Sequence, residues 1–168
     1  KAMETYGHEY AMHFPRHEWP AGRNKKLSPN HDALINFGAQ MGAYNGWERA
    51  NWFAKDGDNI SEEASKYWGR NGPWAARIKD EVEACRDAAG VLDMPGFSRY
   101  NLIGDGAAEW LRSQISGALP KIGRMNLGYF ADSRGRIVTE VTIIRFDEDE
   151  FLLMTAAVAQ WHDFEFLK

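Results

Sequence analysis

The sequence is poor in the features that mark several common classes of protein. A single cysteine, Cys85, stands among 168 residues, which excludes an internal disulfide and a zinc site built from several cysteines. No apolar run reaches the ~18 residues that a membrane-spanning helix needs. Twenty basic against twenty-four acidic residues give a net charge of −4, which excludes a net basic field that would bind a nucleic-acid backbone. We therefore expect neither a nucleic-acid nor a membrane partner.

General catalytic fingerprints are also missing. The sequence contains no Gly-x-Gly-x-x-Gly loop, no phosphate-binding loop ending in Gly-Lys-Ser/Thr and no Gly-x-Ser-x-Gly elbow. The run LIGDGAAEWL follows a predicted strand, but its glycine spacing is wrong for a dinucleotide site, and we interpret it as a helix cap. The first residue is Lys1 rather than Met, and no signal-like segment follows it, so we expect a processed product or a piece of a longer protein.

The sequence does contain ample material for a folded core. Hydrophobic residues make up 44% and aromatic residues 13% of the chain, which is typical of a globular domain and excludes extended disorder. The first 55 residues differ from the rest, because they hold four of the five histidines and three of the six prolines. The polar stretch 54–72 is the best linker candidate. We therefore predict a first region over 1–55 and a second domain over 56–168.

Hydrophobic periodicity predicts an α+β fold. Ser28-Pro29 and the apolar spacing that follows them predict a helix over 29–44, whereas 1–20 is predicted to be extended or irregular. From residue 75 onward the predicted order of elements is αβαβββα, an antiparallel β-meander packed with helices. Strands are predicted at 98–103, 126–130, 137–146 and 151–155, and the last helix at 156–167.

Neither the histidines nor the cysteine predicts a functional site. His8, His13 and His17 would have to share one helical face to bind a metal ion, but Pro15 interrupts the segment. We expect surface or interface histidines and no metal. Cys85 falls on the apolar stripe of the second predicted helix and is predicted to be a buried small hydrophobe.

One acidic residue in the longest predicted strand is a candidate functional group. Side chains along 137–146 alternate between two faces, and Glu140 is the only acid there, flanked on its own face by Val138 and Thr142. Such a carboxylate lies either at a sheet edge facing water or in a pocket for a polar ligand. In a pocket, desolvation would raise its pKa and suit it to acid–base work. Spacing alone leaves both alternatives open.

Four longer runs of sequence resemble one enzyme family. AGRNKKLSPNHDAL and GWERANWF are similar to the segment that leads into the carboxy-terminal half of dimethylglycine and sarcosine dehydrogenases. RDAAGVLDMPGFSRYNLIGDGAAEWL and LPKIGRMNLGYFADSRGRIVTEVTIIRFDEDEFLLMT resemble the start of the folate-binding domain that these FAD-dependent oxidoreductases share with the glycine-cleavage T protein, an aminomethyltransferase. The resemblance implies that 1–55 is a connecting region from the FAD-domain side. It implies that 56–168 is the first part of the folate-binding domain.

The resemblance also implies site residues. In that family an acid in the strand after the RGRI-type turn contacts the pterin side of folate and helps proton transfer at the reacting nitrogen. Glu140 matches that position, where the glycine-cleavage proteins have Asp. Thr155 stands where those proteins carry Asn, so a hydroxyl replaces an amide. Tyr129 is implied to line the same cavity, its alternative being a core aromatic. The implied catalytic residue is Glu140, and the implied folate-binding residues are Tyr129, Glu140 and Thr155.

The function implied is the oxidative demethylation of an N-methylated glycine. FAD would be bound by a domain outside this chain, and tetrahydrofolate would capture the one-carbon unit. Implied partners are the methylated amine, the FAD domain and the remainder of the folate domain, and an oligomer is predicted because the missing half should leave apolar surface exposed. The implied location is the bacterial cytoplasm or the mitochondrial matrix. Alternatives are a catalytically inactive docking domain, a T-like aminomethyltransferase and an unrelated α+β binding module.

Overall fold

A computed structural model describes residues 2–12, 18–61, 64 and 71–168 of the chain. It divides the chain into two compact units, Lys1–Pro95 and Gly96–Lys168. Among the described residues, the first unit contains a two-stranded sheet and the second a five-stranded sheet. Part of the predicted linker at 54–72 lies outside the described residues.

The first unit is built around a β-hairpin. Strands β1 (Ala39–Tyr44) and β2 (Trp47–Phe53) pair antiparallel, and Asn45 and Gly46 connect them with φ values of 52° and 81°. Positive φ at both positions is what a two-residue type I′ turn requires, and Asn-Gly is the pair that adopts it most readily. The described helices of this unit are α1 (Ala2–His8), α2 (His31–Asn36) and α3 (Ala75–Asp87), with a 3-10 turn at Pro20–Gly22.

The hairpin corrects the helix that was predicted over 29–44. α2 ends at Asn36, because Gly38 adopts a φ of 91° and the chain then enters β1. A side chain at Gly38 would collide with the carbonyl oxygen of Ala54 at the base of the hairpin, so the turn needs glycine. Met41 and the residues after it keep an apolar spacing that looks helical, but they gain a ladder of hydrogen bonds to β2 instead.

Two further predictions for this unit are wrong. Residues 2–8, which were predicted to be irregular, form α1. The predicted helix around Cys85 exists as α3, but the Cys85 side chain is exposed and α3 contains no buried residue. Ile78 and Val82 on the same stripe are 37% and 43% exposed. Helical spacing therefore identified the helix but not a buried face.

The second unit is a five-stranded antiparallel sheet with helices. Its strand order is β3-β7-β6-β5-β4. The elements are β3 (Phe97–Ile103), α4 (Ala107–Gln114), β4 (Ile115–Ser116), β5 (Met125–Ala131), β6 (Ile137–Asp147), β7 (Glu150–Ala156) and α5 (Gln160–Leu167). Strands β5, β6 and β7 follow one another both along the chain and across the sheet. The structure confirms the α+β class and the predicted meander.

One face of this sheet carries the hydrophobic core of the second unit. The strand residues buried there are Phe130, Val141, Ile143, Phe151 and Leu153, and Leu111 of α4 packs with them. Phe166 of α5 lies against Phe130, with 5.2 Å between the ring centroids. Because side chains alternate along a strand, the residues between these core positions project from the opposite face of the sheet.

Candidate functional site

Glu140 and Tyr129 lie directly opposite each other on the neighbouring strands β6 and β5. Residues paired in this way project from the same face of a sheet, with Cβ atoms roughly 4.5–5.5 Å apart. Their chain neighbours Phe130 and Val141 are fully buried in the core, so the pair projects from the other face. Glu140 is exposed and Tyr129 is half-buried. The fold therefore sets an ionisable acid beside an aromatic ring that carries a hydroxyl.

The pair lies in a mostly apolar surface, which we call the outer face. Its members on β5, β6 and β7 alternate with the core residues, and they are Met125, Leu127, Tyr129, Glu140, Thr142, Ile144, Leu152 and Met154. Val138, which was expected on the face of Glu140, lies at the register irregularity and packs against the core instead. Glu140 is the one charged residue of this set. Within the described part of the chain, no hydrogen bond or ion pair engages its carboxylate. An apolar surface with a few available polar groups is the usual composition of a small-molecule site.

Glu140 lies near the point where the pairing of β6 with β7 ends. β6 lies between β5 and β7 in the sheet, but its pairing with β7 begins at Thr142. Glu140 is therefore paired with Tyr129 of β5 and lies just outside the part of β6 that pairs with β7. Beyond β7, strand β3 adds polar groups to the outer face: Arg99 lies opposite Met154, and Asn101 lies opposite Leu152. Glu140 is exposed and therefore accessible to water and to a ligand.

Thr155 lies on the core side of the sheet, away from Glu140 and Tyr129. It is 2% exposed and is paired across β3 and β7 with Ser98. Among the described residues, neither Thr155 Oγ1 nor Ser98 Oγ has a hydrogen-bond partner. The structure therefore brings together Glu140 and Tyr129, two of the three residues implied for the folate site. It places the third, Thr155, on the opposite face of the sheet.

Sequence reasoning missed a buried carboxylate in the first unit. Glu48, within the GWERANWF run, is 2% exposed. Arg23 donates from Nε to Glu48 Oε1 at 2.9 Å and from Nη2 to Oε2 at 2.8 Å, and the backbone N–H of Asn24 donates to Oε1 at 2.6 Å. Burial alone would raise the pKa of Glu48, but these hydrogen bonds outweigh it and hold the pKa below its ordinary value.

A signal for this carboxylate was present in the sequence. Trp47 separates Glu48 from the Asn-Gly turn, and in the sequence Glu48 precedes Trp52, which is 5% exposed, by four residues. A register irregularity between Gln40 and Met41 interrupts the alternation in the structure. An acid in phase with a buried tryptophan at period two indicates a paired, buried charge. This pattern is informative only if residues 47–53 are recognised as a strand of a hairpin. The predicted helix over 29–44 left no place for the first strand of that hairpin.

Other candidate groups do not assemble into a site. Residues 2–12, 18–61, 64 and 71–168 contain no cluster of three or more His, Cys, Asp or Glu side chains that could hold a metal ion. His8 stacks on Trp19, with ring centroids 4.4 Å apart, whereas His13 and His17 lie outside the described residues. None of the helices that the structure describes is long and apolar enough to cross a membrane.

Comparisons with known proteins match two families along the chain. The GCVT N-terminal domain matches residues 30–168, and the FAD dependent oxidoreductase central domain matches residues 1–28. The chain is 27% identical over 168 residues to the mitochondrial dimethylglycine dehydrogenase of Rattus norvegicus, which covers 100% of this chain and 19% of the relative. It is 30% identical over 169 residues to the 4-methylaminobutanoate oxidase (formaldehyde-forming) of Paenarthrobacter nicotinovorans, which covers 100% of this chain and 20% of the relative.

A solved structure shares the fold. The glycine cleavage system aminomethyltransferase T from Bartonella henselae matches 84% of this chain and 34% of its own length, with a TM-score of 0.64 and 23% sequence identity. This match confirms the predicted T-protein-like fold, and the relatives confirm the resemblance to dimethylglycine dehydrogenases. The chain spans about a fifth of the length of the two relatives.

Proposed function

We propose that this chain, which belongs to the GCVT N-terminal domain family, contributes part of the tetrahydrofolate site of an FAD-dependent oxidative demethylase. The substrate would be an N-methylated glycine of the dimethylglycine or sarcosine type. The observation that carries the proposal is the Glu140–Tyr129 pair on an accessible, mostly apolar sheet face. The adjoining matches to an FAD oxidoreductase and a folate-type domain support it.

The overall reaction separates into an oxidation and a capture. When bound outside this chain, FAD would supply the oxidation, the removal of a hydride equivalent from the N-methyl group, which turns that group into an iminium carbon, R(CH3)N+=CH2. Tetrahydrofolate carries two N–H groups, and both are replaced by bonds to that carbon, which gives methylenetetrahydrofolate, the amine R(CH3)NH and one proton. No residue of this chain is assigned to FAD, because the sequence contains no dinucleotide-binding glycine loop.

Glu140 would handle the proton of the capture step. A carboxylate that is free of internal partners can accept the proton from the N–H group of the attacking folate nitrogen and later give that proton to the departing amine. Tyr129, directly opposite, would support the flat pterin ring with its own ring and offer its hydroxyl to a polar edge. The neighbouring Leu127 and Thr142 pair across the same two strands, which extends the surface on which a ring can lie.

Conversion of Glu140 to glutamine separates proton transfer from binding. In the full-length protein, Glu140→Gln keeps the shape of the side chain but cannot take a proton, so transfer of labelled N-methyl carbon to tetrahydrofolate should slow by about 10²- to 10⁴-fold. Amine-dependent reduction of FAD should be unchanged. Glu148→Gln, an exposed glutamate in the β6–β7 turn, is the matched control. An equal capture rate in Glu140→Gln and Glu148→Gln would exclude Glu140 from the chemistry.

A second candidate is a folate-type docking domain without chemistry of its own. The observation that favours it is the separation of Thr155 from Glu140 on opposite sides of the sheet, since a ligand on the outer face would not touch Thr155. Absence of tetrahydrofolate binding by the folded wild-type protein would select this candidate. A T-like aminomethyltransferase would instead transfer the carbon without amine-dependent reduction of FAD.

The remaining assignments belong to the same proposal. The FAD domain and the rest of the folate domain would be the macromolecular partners, and the exposed Val91 and Leu92 support association with them or into an oligomer. The location would be the mitochondrial matrix, as the names of the mammalian relatives indicate, or the bacterial cytoplasm.

A further inference from the structure

The two family matches meet at residue 29, and side chains from one segment are held by the other. Residues 1–28, which we call the oxidoreductase segment, contact the start of residues 30–168, the folate segment. Both sides of these contacts lie within the first compact unit. Ser28 donates a hydrogen bond to Asp93, and the backbone N–H of Ala43 donates to Glu18 Oε2 at 3.0 Å. Several hydrogen bonds therefore join the two segments.

The strongest of these contacts is the ion pair between Arg23 and Glu48. Both carboxylate oxygens of Glu48 accept hydrogen bonds from the guanidinium of Arg23. Arg23 Nη2 also donates to the carbonyl oxygen of Met41 at 2.9 Å. Glu48 is 2% exposed, and Arg23 is 26% exposed at its side chain. A two-point arginine–carboxylate contact fixes orientation as well as distance. Arg23 thereby contacts both strands of the hairpin.

The backbone around Arg23 is shaped to make this contact. Asn24 adopts a left-handed φ of 56°, and its backbone N–H donates to Glu48 Oε1, in the same carboxylate that the Arg23 side chain contacts. The backbone N–H of Glu48 donates to the carbonyl oxygen of Lys26 at 2.9 Å, and Lys26 forms an isolated bridge with Trp47. At Lys26, the oxidoreductase segment therefore pairs with the edge of β2 as a strand would.

We propose that the Arg23–Glu48 pair is a lock within the first compact unit, which fixes the direction in which the oxidoreductase segment meets the β1–β2 hairpin of the folate segment. A buried ion pair adds little net stability compared with apolar residues, but it specifies one arrangement, because any other leaves a buried charge unpaired. The lowered pKa of Glu48 agrees with a carboxylate that stays charged. Arg23 and Glu48 are positioning residues and take no part in either reaction.

The consequence of the lock rests on the function proposed above. An iminium carbon that is formed in one domain and captured in another has to pass between them before water attacks it. Attack by water gives R(CH3)NH, formaldehyde and a proton, so loss of alignment diverts carbon from methylenetetrahydrofolate to free formaldehyde. The lock would therefore control how the carbon is partitioned, without changing how fast it is formed.

The test compares Glu48→Gln and Arg23→Met with wild type in the full-length protein. Arg49→Met is the control, since Arg49 lies on the same strand against the Tyr44 ring. We expect amide hydrogen exchange over 24–28 and 39–53 to accelerate several-fold in the two lock variants and to stay at the wild-type rate in the control. We expect the ratio of methylenetetrahydrofolate to formaldehyde to fall several-fold, with the rate of amine-dependent FAD reduction unchanged.

The two readouts separate the lock from the proposed function. Unchanged exchange in both lock variants would overturn the lock, whatever the product ratio. Faster exchange with an unchanged product ratio would overturn its role in partition. A wild-type protein that captures no carbon on tetrahydrofolate would contradict the proposed function. The role of the lock in partition would fall with it. The exchange rates would still decide whether the lock exists.

Discussion

Glu140 faces Tyr129 across strands β6 and β5, on the side of the sheet opposite to the core that α4 and α5 cover. The pair is fixed by register, since Gly128 opposite Val141 is the next pair along the two strands. A carboxylate and an aromatic ring are therefore held together by rigid strands rather than by loops. Such placement is what a site needs if it is to align a ligand closely.

Truncation of Tyr129 tests the ring on the outer face. Tyr129→Ala should weaken tetrahydrofolate binding roughly three- to tenfold, because a ring contact contributes about 0.5–1.5 kcal/mol. Tyr129→Phe keeps the ring and should bind within about twofold of wild type if stacking dominates. Calorimetry on the full-length protein measures both affinities. Tyr44→Ala, an exposed ring in the first unit, is the control, and an equal loss there would contradict a local role for Tyr129.

Replacement of Thr155 by valine tests the core side of the sheet. The buried Thr155 hydroxyl has no partner within the described residues, so Thr155→Val should raise the stability of β7 by about 1 kcal/mol. Hydrogen exchange of the β7 amides in the intact protein measures this change. Tetrahydrofolate affinity should be unchanged. A clear loss of affinity would instead support the folate-binding role that the family resemblance implies for Thr155.

The first unit should lose stability in acid through Asp58. Hydrogen bonds from the Arg77 guanidinium, at 2.7 and 2.9 Å, and from the Lys55 backbone N–H hold the pKa of Asp58 at about 2, below its ordinary 3.8. Because the folded pKa is the lower one, this contribution is complete above pH 3.8 and is lost as the pH falls through about 2. Asp58→Asn should remove that part of the acid dependence, as measured by urea unfolding at several pH values. The exposed Asp56→Asn should keep it, and equal acid profiles for the two variants would contradict the assignment.

The core of the second unit should depend strongly on Phe130. This side chain is fully buried and packs against Phe166, so Phe130→Ala should destabilise the sheet by about 3–5 kcal/mol. Phe146, near the end of β6, is 53% exposed, and Phe146→Ala should cost less than about 1 kcal/mol. Hydrogen exchange of the β6 amides compares the two variants. Similar losses would mean that the core does not lie on the Phe130 side.

The meander could be predicted because its strands alternate clearly. The predicted strand 137–146 differs from β6, Ile137–Asp147, by one residue, and Phe151 begins the predicted last strand one residue after β7 does. Turn residues bound each of these strands and the apolar side chains recur at period two, so local chemistry and tertiary burial agree. The predicted division at residue 55 is a different kind of inference and stays a prediction.

The pairing of Glu140 with Tyr129 could not be predicted in the same way. A shift of two residues in register keeps every side chain on its face, so alternation alone does not say which residue of β5 lies opposite Glu140. The irregularity between Phe130 and Ala131 moves the register further. The Arg23–Glu48 pair is hidden for a related reason, since it joins residues 25 positions apart and local spacing carries no information about such contacts.

Tetrahydrofolate binding by the full-length protein tests the account most directly. Isothermal calorimetry on the wild type, Glu140→Ala and Glu148→Ala compares the outer-face carboxylate with an exposed glutamate in the turn. We expect saturable binding by the wild type, the same affinity in Glu148→Ala, and an affinity weakened about tenfold in Glu140→Ala through loss of a charged hydrogen bond. Binding that is absent from the folded wild type, or equal in all three proteins, would contradict a folate site on this face of the sheet.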